Sequence, residues 1–496
     1  MSLTLPKIDN SYARLPERFY ERQSPKPFPN PRLIALNDNL AADLGFKAAE
    51  LREEKGLMLL SGNKIPSQFA PLAQAYAGHQ FGGFSPQLGD GRAILLGEIS
   101  TNGKHLDMQL KGSGRTPFSR RGDGLSALGP VLREYVVSEA MHQLSVPTTR
   151  ALAAVASSRT VLRQEGELPS GVMTRIASSH LRVGTFQYFA ARKDISALKT
   201  LTEFALSRHY SDPKKTENPA LELLQGVITR QANLVAHWMS LGFIHGVMNT
   251  DNCSISGETI DYGPCAFMER FHPHCVFSAI DQNGRYAWSQ QGSIAHWNLT
   301  RLAEALLPII SEDEDEAVSL AKNALAEFAK LFEDSFQKRF EAKLGLHPSA
   351  EDRENTSDFI TETLSFLAEQ EVDFTLFFRN LTILARSKNE ENTTKFTNHF
   401  QEAESGLKWL SSWERQLENN PARSALVAEM AAANPIRIPR NHRVEEMIQA
   451  AYAGDFAPLK KLQAALSHPY EENDKFSQYE RRPLPNEEVH TTFCGT

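Results

Sequence analysis

Two side chains near the middle of the sequence have the chemistry of a site for a hard divalent cation. Asn252 closes the stretch HGVMNTDN, residues 245–252, and Asp261 opens the stretch DYG nine residues later. An amide oxygen beside a carboxylate suits Mg²⁺ that already carries nucleotide phosphates. The spacing therefore indicates a loop that holds a metal–nucleotide, although an ordinary loop of turn-forming Asn and Asp has the same composition.

The segment between these two residues predicts how they meet. Ser254–Ile260 has Ser-Gly at its centre, which is typical of a tight β-hairpin with Ile255 and Ile260 on its strands. Such a hairpin would bring Asn252 and Asp261 side by side at its open end.

The same spacing occurs in kinases, where a catalytic Asp precedes the metal-binding Asn by five residues and a DFG motif follows. In this chain the position five before Asn252 is Val247, which cannot accept a proton. Asp251 is the nearest replacement carboxylate. The residues that hold a metal–nucleotide are present, whereas the usual base for a substrate hydroxyl is missing.

A glycine-rich stretch and a strand pair precede this loop. Residues 79–92 contain Gly82, Gly83, Gly89 and Gly91. Residues 92–99 and 105–111 are predicted to be strands, and Asn102-Gly103 between them is a strong signal for a hairpin. Leu106, Met108 and Leu110 then share one face, and Lys111 ends the strand on the polar face. In a kinase that position belongs to the phosphate-holding lysine, although a strand-end lysine is more often simply solvated.

Helical patterns follow at 130–144 and at 221–241, the second ending at Gly242. The first carries Glu134 and Glu139, and either glutamate is placed to pair with Lys111 as in kinases. The alternative is two exposed glutamates on an amphipathic helix.

Two arginines, Arg175 and Arg182, punctuate the strand-rich region from 151 to 189. Their planar guanidinium groups would bind phosphate strongly if they lie in a cleft, and otherwise they are surface residues. The polar loop 112–124 lacks the GxxxxGK[ST] pattern, which argues against a P-loop enzyme.

Bulk properties exclude several classes of protein. A chain of 496 residues predicts two or three domains, and 41% apolar residues allow a substantial core. The net charge of −7 gives no general attraction to nucleic acid or to anionic membranes. No apolar run is long enough to span a bilayer, the N-terminus does not have the pattern of a signal peptide, and four cysteines are too few for a disulfide framework. These features predict a cytoplasmic protein.

Taken together, the chain resembles the selenoprotein O family of protein adenylyltransferases over nearly its whole length. The motifs that carry the resemblance are NSYARLP (10–16), YAGHQFG (76–82), QLKGSG (109–114), HGVMNTDN (245–252) and DYGP (261–264).

The resemblance implies an α+β, protein-kinase-like bilobal fold with a β-rich N-lobe and a helical C-lobe. We expect residues 1–70 to form an arm packed on the core and 71–190 to form the N-lobe. Residues 191–345 would form the C-lobe with the catalytic loop, and 346–496 a helical extension with a flexible redox tail.

The resemblance also implies an activity and its residues. AMP from ATP, or UMP from UTP, would pass to Ser, Thr or Tyr hydroxyls of proteins, with the nucleotide inverted relative to kinases and with Mg²⁺ or Mn²⁺ bound. Self-modification is a further expectation. Asp251 would accept the proton, Lys111 and Glu134 would form the ion pair, and Asn252 and Asp261 would bind the metal. The expected nucleotide contacts are Gly89, Gly91, Arg92, Lys111, Asp123, Gly124, Arg175, Arg182 and Asp261.

The C-terminus departs from the family pattern. Members often end in selenocysteine or cysteine followed by two serines, whereas this chain ends Cys494-Gly495-Thr496. The resemblance implies a redox disulfide between Cys275 and Cys494; the alternative is two free thiols.

Two other functions fit the same residues. A true kinase would use Asp251 as base and would transfer the γ-phosphate of ATP, whereas an adenylyltransferase transfers the α-phosphate with its nucleoside. A non-catalytic nucleotide-binding pseudokinase is favoured by Val247, but it would not need the intact metal pair or the arginines.

Overall fold

The computed structural model describes residues 3–210, 212–417 and 423–493. The fold is α+β, with strands concentrated in the first 180 residues and helices in the remainder. The strands of the described residues are β1 Ile8–Asp9, β2 Tyr20–Arg22, β3 Arg32–Leu36, β4 Leu72–Gln74, β5 Gly78–Gln80, β6 Gly83–Ser85, β7 Ala93–Thr101, β8 Lys104–Lys111, β9 Ser126–Ala127, β10 Arg150–Arg163, β11 Gly166–Ala177, β12 Phe243–Ile244 and β13 Ala266–Phe267.

One large antiparallel sheet organises the N-terminal part. Its order is β2-β4-β7-β8-β11-β10-β3, with β1 added beside β7 and β9 beside β11. Residues 1–70 thus contribute β1, β2 and β3 directly to this sheet. Two short pairs, β5–β6 and β12–β13, stand apart from it.

The predicted hairpin of β7 and β8 is confirmed, with its turn at Asn102-Gly103. Met108 and Leu110 are fully buried on one face, as the alternation predicts. The opposite face is buried as well, since Asp107 and Gln109 are almost inaccessible to solvent. This second face is therefore a buried polar layer, and it leads to Lys111.

Helices make up most of the chain after the sheet. Those of the described residues are α1 Asp38–Asp43, α2 Ala48–Arg52, α3 Glu54–Leu60, α4 Leu128–Gln143, α5 Val183–Ala190, α6 Ile195–His209, α7 Pro219–Ser240, α8 Gln291–Ile310, α9 Glu314–Leu344, α10 Arg353–Glu369, α11 Phe374–Arg386, α12 Glu390–Thr397, α13 Ala403–Gln416, α14 Arg423–Ala433, α15 Asn441–Tyr452 and α16 Ala457–Leu466.

The helix predicted before the metal loop is confirmed as α7. Asn218 caps it by accepting a hydrogen bond from the Leu221 amide, and Pro219 occupies its first turn, where no amide donor is needed. It ends before Gly242, which has a φ of +71°. Helices α8 and α9 pack on α7 and form the helical core beneath the metal loop. Within the described ranges, none of these helices has both the length and the apolar composition that a membrane crossing requires.

The predicted hairpin over Ser254–Ile260 is wrong. A turn does occur at Gly257, but the main chain on both sides bonds to other parts of the protein. The Ile255 amide donates to Leu181 O and the Thr259 amide donates to Pro147 O. These distant partners offer bonds that periodicity within one segment does not reveal.

Two other contacts bring the metal loop and the DYG segment together. Strand β12, just before the metal loop, pairs with β13, just after the DYG segment. The His245 ring donates from Nε2 to Ile260 O at 2.9 Å, directly before Asp261. The expected proximity of Asn252 and Asp261 is thus reached by a different route.

Candidate active site

A cleft of about 550 Å³ lies between the sheet and the helical part. Twelve of the residues predicted as site residues line it, from the glycine-rich loop, β8, the polar loop 112–124, α4, β11, the loop before α5 and the 245–264 segment. They are Gly89, Gly91, Arg92, Lys111, Asp123, Gly124, Glu134, Arg175, Arg182, Asp251, Asn252 and Asp261.

Lys111 is held between two carboxylates. Its Nζ lies 2.6 Å from Glu134 Oε2 and 2.5 Å from Asp261 Oδ1. Of the two glutamates on α4, the one that meets Lys111 is therefore Glu134. Glu139 instead pairs with Arg150 at 2.7 Å and accepts a hydrogen bond from the Ala151 amide.

Arg175 and Arg182 are buried, so the alternative of two surface arginines is wrong. Arg175 Nη1 lies 2.8 Å from Asp261 Oδ1 and 3.1 Å from Glu134 Oε1. Sheet register places it, because Arg175 is opposite Gln109, two residues before Lys111 and therefore on the same face. Arg182 Nη1 lies 3.0 Å from Asp261 Oδ2.

Asp261 thus receives three cations at one carboxylate. Burial alone would raise its pKa, but the charges of Lys111, Arg175 and Arg182 hold the pKa well below its ordinary value. The residue has a φ of +62°, which is uncommon outside glycine, and the Gly263 amide donates to its carbonyl at 2.8 Å. This tight turn aims the carboxylate into the cleft.

Asn252 is oriented by its own loop. Its Nδ2 donates to Val247 O at 3.0 Å. Its amide oxygen has no hydrogen-bond partner within the described residues. A free amide oxygen and a carboxylate on the same cleft are the ligand types that Mg²⁺ and Mn²⁺ accept, so the donor set fits the expected metal.

Asp251 differs from Asp261 in that its surroundings balance the charge of its carboxylate only in part. Its Oδ1 is buried and has no hydrogen-bond partner within the described residues. Desolvation raises its pKa to about 6, against the opposing charge of Arg182. A Cβ on Gly78 would lie 2.9 Å from this oxygen, so only glycine permits the close approach of the β5 backbone.

Comparison with known proteins identifies the family. The sequence profile of the family described as "Protein adenylyltransferase SelO" matches residues 4–467. The chain belongs to the SelO family.

Curated relatives agree over the whole length. "Protein nucleotidyltransferase YdiU" of Rhodopseudomonas palustris (strain BisB18) is 53% identical over 99% of both chains. The proteins of the same name from Methylorubrum populi and Agrobacterium fabrum are 52% and 51% identical, each over 99% of this chain and over 99% and 100% of their own. This SelO-family chain is therefore an enzyme of the nucleotidyltransferase class.

The glycine-rich loop of this SelO-family chain lines the same cleft as the metal segment. Gly89 has a φ of +77°, and a Cβ there would lie 2.3 Å from the Phe118 ring, so no side chain fits. Asp123, in the polar loop 112–124, makes an ion pair with Arg163 at 2.9 Å and remains partly exposed.

Sequence reasoning missed two polar residues of the site. Asp90, between the two predicted glycines, is buried and accepts hydrogen bonds from the Gln74 amide and from Gln109 Nε2. Desolvation raises its pKa to about 6 despite Arg182 nearby. Gln80 donates to Asp251 from the β5–β6 hairpin. The only signal for Asp90 was a carboxylate inside a Gly-x-Gly turn, where loop residues are usually solvated.

Cys275, one of the two predicted redox cysteines, does not line the cleft. Cys275 is half-buried and free. Cys494 lies outside the described residues. Thr492, two residues earlier, donates its amide to Phe277 O at 2.7 Å and its hydroxyl to Pro264 O at 2.6 Å.

Asp9, Glu98 and His105 form a second group of possible metal ligands on the sheet. Arg14 already pairs with Asp9 at 2.5 Å and Arg208 with Glu98 at 2.8 Å. Their charges are balanced by these arginines, which does not favour a metal there.

Proposed function

We propose that this enzyme transfers AMP from ATP, and UMP from UTP, to Ser, Thr or Tyr hydroxyls of proteins, including its own chain. The names of the family and of its relatives support a protein acceptor. In this proposal the sheet and the helical part are the two lobes of a kinase-like fold, and the nucleotide lies inverted in the cleft between them.

The observation that carries the proposal is the cluster of three buried cations at the inner end of the cleft. Lys111, Arg175 and Arg182 converge there on Asp261 and Glu134, and Arg182 also lies 3.9 Å from the buried carboxylate of Asp90. A terminal pyrophosphate would give these cations further anionic partners, and each of the two guanidinium groups can bond its oxygens in pairs. The β- and γ-phosphates therefore belong inside, which leaves the α-phosphate facing the acceptor.

Asp251 lines the cleft next to the expected metal ligand Asn252, and we assign its carboxylate as the proton acceptor. As the acceptor hydroxyl oxygen bonds to the α-phosphorus, its proton passes to the Asp251 carboxylate. The bond from the α-phosphorus to the bridging oxygen breaks, and pyrophosphate leaves on the cations of the inner cleft. Val247 is hydrophobic and buried, so no carboxylate occupies the position that a kinase uses.

Asn252 and Asp261 are the residues that would hold Mg²⁺ or Mn²⁺. The metal would neutralise phosphate charge in the transition state. In the structure Lys111, Arg175 and Arg182 pair with the carboxylate of Asp261. When metal and nucleotide bind, the metal would take the carboxylate and the phosphates would take the cations.

We further propose that Cys275 and Cys494 form a reversible disulfide that holds the C-terminus near the cleft. The bonds from Thr492 to Phe277 and Pro264 support this, because each cysteine is two residues from one member of the Thr492–Phe277 pair. In the reducing cytoplasm that we expect for this protein, such a bond would open readily.

Intact-mass spectrometry after incubation with ATP and Mg²⁺ or Mn²⁺ tests the activity. We expect the chain, or an added protein acceptor, to gain one AMP unit, and label to transfer from α-labelled but not from γ-labelled ATP. Asp251→Asn should slow the gain by roughly 10²–10⁴-fold. A gain of one phosphate would instead identify a kinase, and nucleotide binding with no transfer to any protein would identify a pseudokinase.

A further inference from the structure

Three exposed apolar side chains lie at the mouth of the cleft or on the hairpin that reaches it. Phe81 and Phe84 on the β5–β6 hairpin are 38% and 43% exposed, and Ile280 is 56% exposed. Phe81 and Ile280 also line the cleft itself. We call these three residues, with Arg285, the rim surface.

The rim surface is fixed to the loop that carries Asp251. The His79 amide donates to Thr250 Oγ1 at 2.7 Å, and the Phe81 amide donates to Asn249 Oδ1 at 3.0 Å. Phe81 has a φ of +51°, a conformation that costs energy for an aromatic residue and that these bonds maintain. These bonds tie the β5–β6 hairpin, which carries Phe81 and Phe84, to the loop that carries Asp251.

Arg285 adds an unbalanced charge to this surface. Its guanidinium lies over the Trp297 ring at 4.9 Å and beside Gly82, where a Cβ would be 3.8 Å from Cζ. No acidic side chain in 3–210, 212–417 or 423–493 forms an ion pair with it. Arg301 lies on the same ring at 5.1 Å but pairs with Glu304 at 2.7 Å. Arg285 is not among the residues that line the cleft.

We propose that the rim surface docks the protein acceptor, as an extended segment with an apolar and an acidic side chain near its hydroxyl residue. The apolar side chain would pack on Phe81, Phe84 and Ile280, and the carboxylate would pair with Arg285. The hydroxyl would then lie at Asp251. This inference rests on the proposed transfer to proteins and specifies the acceptor class.

Charge complementarity selects this occupant. The chain as a whole carries a net charge of −7, so acidic segments are generally repelled, and an unpaired arginine at the rim gives them one favourable position. An arginine stacked on tryptophan is also held ready to pair, which reduces the entropy lost on binding.

Synthetic peptides with a central Ser, Thr or Tyr and one Leu provide the test. In parallel series, Asp, Asn or Lys is moved through the remaining positions, and transfer from α-labelled ATP is measured with the full-length enzyme. We expect at least one Asp position to raise kcat/KM about tenfold over Asn, as for one partly buried charge pair. Arg285→Gln should remove that preference and Arg285→Glu should shift it to Lys, with KM for ATP unchanged.

Arg301→Gln is the matched control, since it removes an arginine from the same ring without removing an unpaired charge, and it should keep the preference for Asp. Phe84→Ser should raise the KM for every peptide and leave the KM for ATP unchanged.

Each other outcome overturns the inference. Equal transfer to the Asp, Asn and Lys series, or transfer to proteins but to no peptide, rejects the rim surface and leaves the proposed function standing. A raised KM for ATP in Arg285→Gln assigns that arginine to the nucleotide. Absence of transfer to peptides, to proteins of a cell extract and to the chain itself rejects both the function and the inference.

Discussion

Gln80 and Asp251 are joined by a hydrogen bond of 3.3 Å from Nε2 to Oδ2, which leaves Oδ1 as the only carboxylate oxygen of Asp251 without a partner in the described residues. The bond links the β5–β6 hairpin to the loop that carries the proposed base. The hydrogen bond orients the carboxylate, and a general base must be held in position in this way.

Replacing this base should reduce rate far more than binding. We expect Asp251→Asn to lower kcat by roughly 10²–10⁴-fold, the range for loss of a general base. The nucleotide dissociation constant, measured by calorimetry, should change much less. Equal losses of rate and of nucleotide binding would show that Asp251 is a metal ligand instead.

Mutations can distinguish the Lys111–Glu134 ion pair from the neighbouring Glu139 on α4. Lys111→Ala and Lys111→Arg should each lower kcat/KM by about 100-fold or more, since a guanidinium does not fit between Glu134 and Asp261 as an ammonium does. Glu134→Ala should act in the same direction.

Glu139→Ala is the matched control. It breaks the pair with Arg150, so it should lower the melting temperature while the folded enzyme keeps its rate. A loss of rate in folded Glu139→Ala with an unaffected Glu134→Ala would reject the assignment.

Asp261 is expected to serve both stability and activity. Asp261→Ala should abolish transfer and should also destabilise the fold by about 3–5 kcal/mol, because it leaves buried cations without their partner. ATP without metal should then raise the melting temperature of Asp261→Ala more than that of the wild type, since phosphates would replace the missing charge. An active Asp261→Ala enzyme would show that the metal–nucleotide site is elsewhere.

The disulfide prediction is tested by peptide mapping under non-reducing conditions. With oxidised glutathione we expect a Cys275–Cys494 linkage, a higher melting temperature, and its loss in Cys275→Ser. A closed loop of this length stabilises by at most roughly 5 kcal/mol. Burial raises the pKa of the Cys275 thiol to about 11, so the linkage should form slowly at neutral pH. Free thiols after oxidation, or Cys494 joined to another chain, would reject the switch.

Local patterns predicted the elements whose bonds are local. The bonds within α7 and between β7 and β8 join residues that are close in sequence, so alternation and helical period located these elements within two residues. Ser254–Ile260 failed because its amides bond to distant loops. The burial of Arg175 could not be predicted from local patterns either, because it depends on its pairing with Gln109 on the neighbouring strand.

Lys343 offers a test of pH dependence away from the active site. It is 3% exposed, its Nζ lies 4.2 Å from the centre of the Phe378 ring, and it has no acidic partner among the residues that the structure describes. Desolvation lowers its pKa from 10.5 to about 7. An ammonium buried in this way destabilises the folded chain.

The sign of the effect follows from proton counts. Between about pH 7 and pH 10.5 the unfolded chain holds a proton on Lys343 that the folded chain lacks. The contribution of Lys343 to the free energy of unfolding therefore rises with pH in this window, by about 1.4 kcal/mol per unit. The cost is greatest below about pH 7 and disappears above 10.5.

Lys343→Met should thus raise the free energy of unfolding at pH 7 by a few kcal/mol, with the gain shrinking as pH approaches 10.5. Urea unfolding at several pH values measures this directly. Lys338→Met, an exposed position on the same helix α9, is the control and should show little effect at any pH. If Lys343→Met destabilises the protein equally at pH 7 and pH 10, the ammonium contributes favourably through the aromatic rings and the predicted cost of burial is wrong.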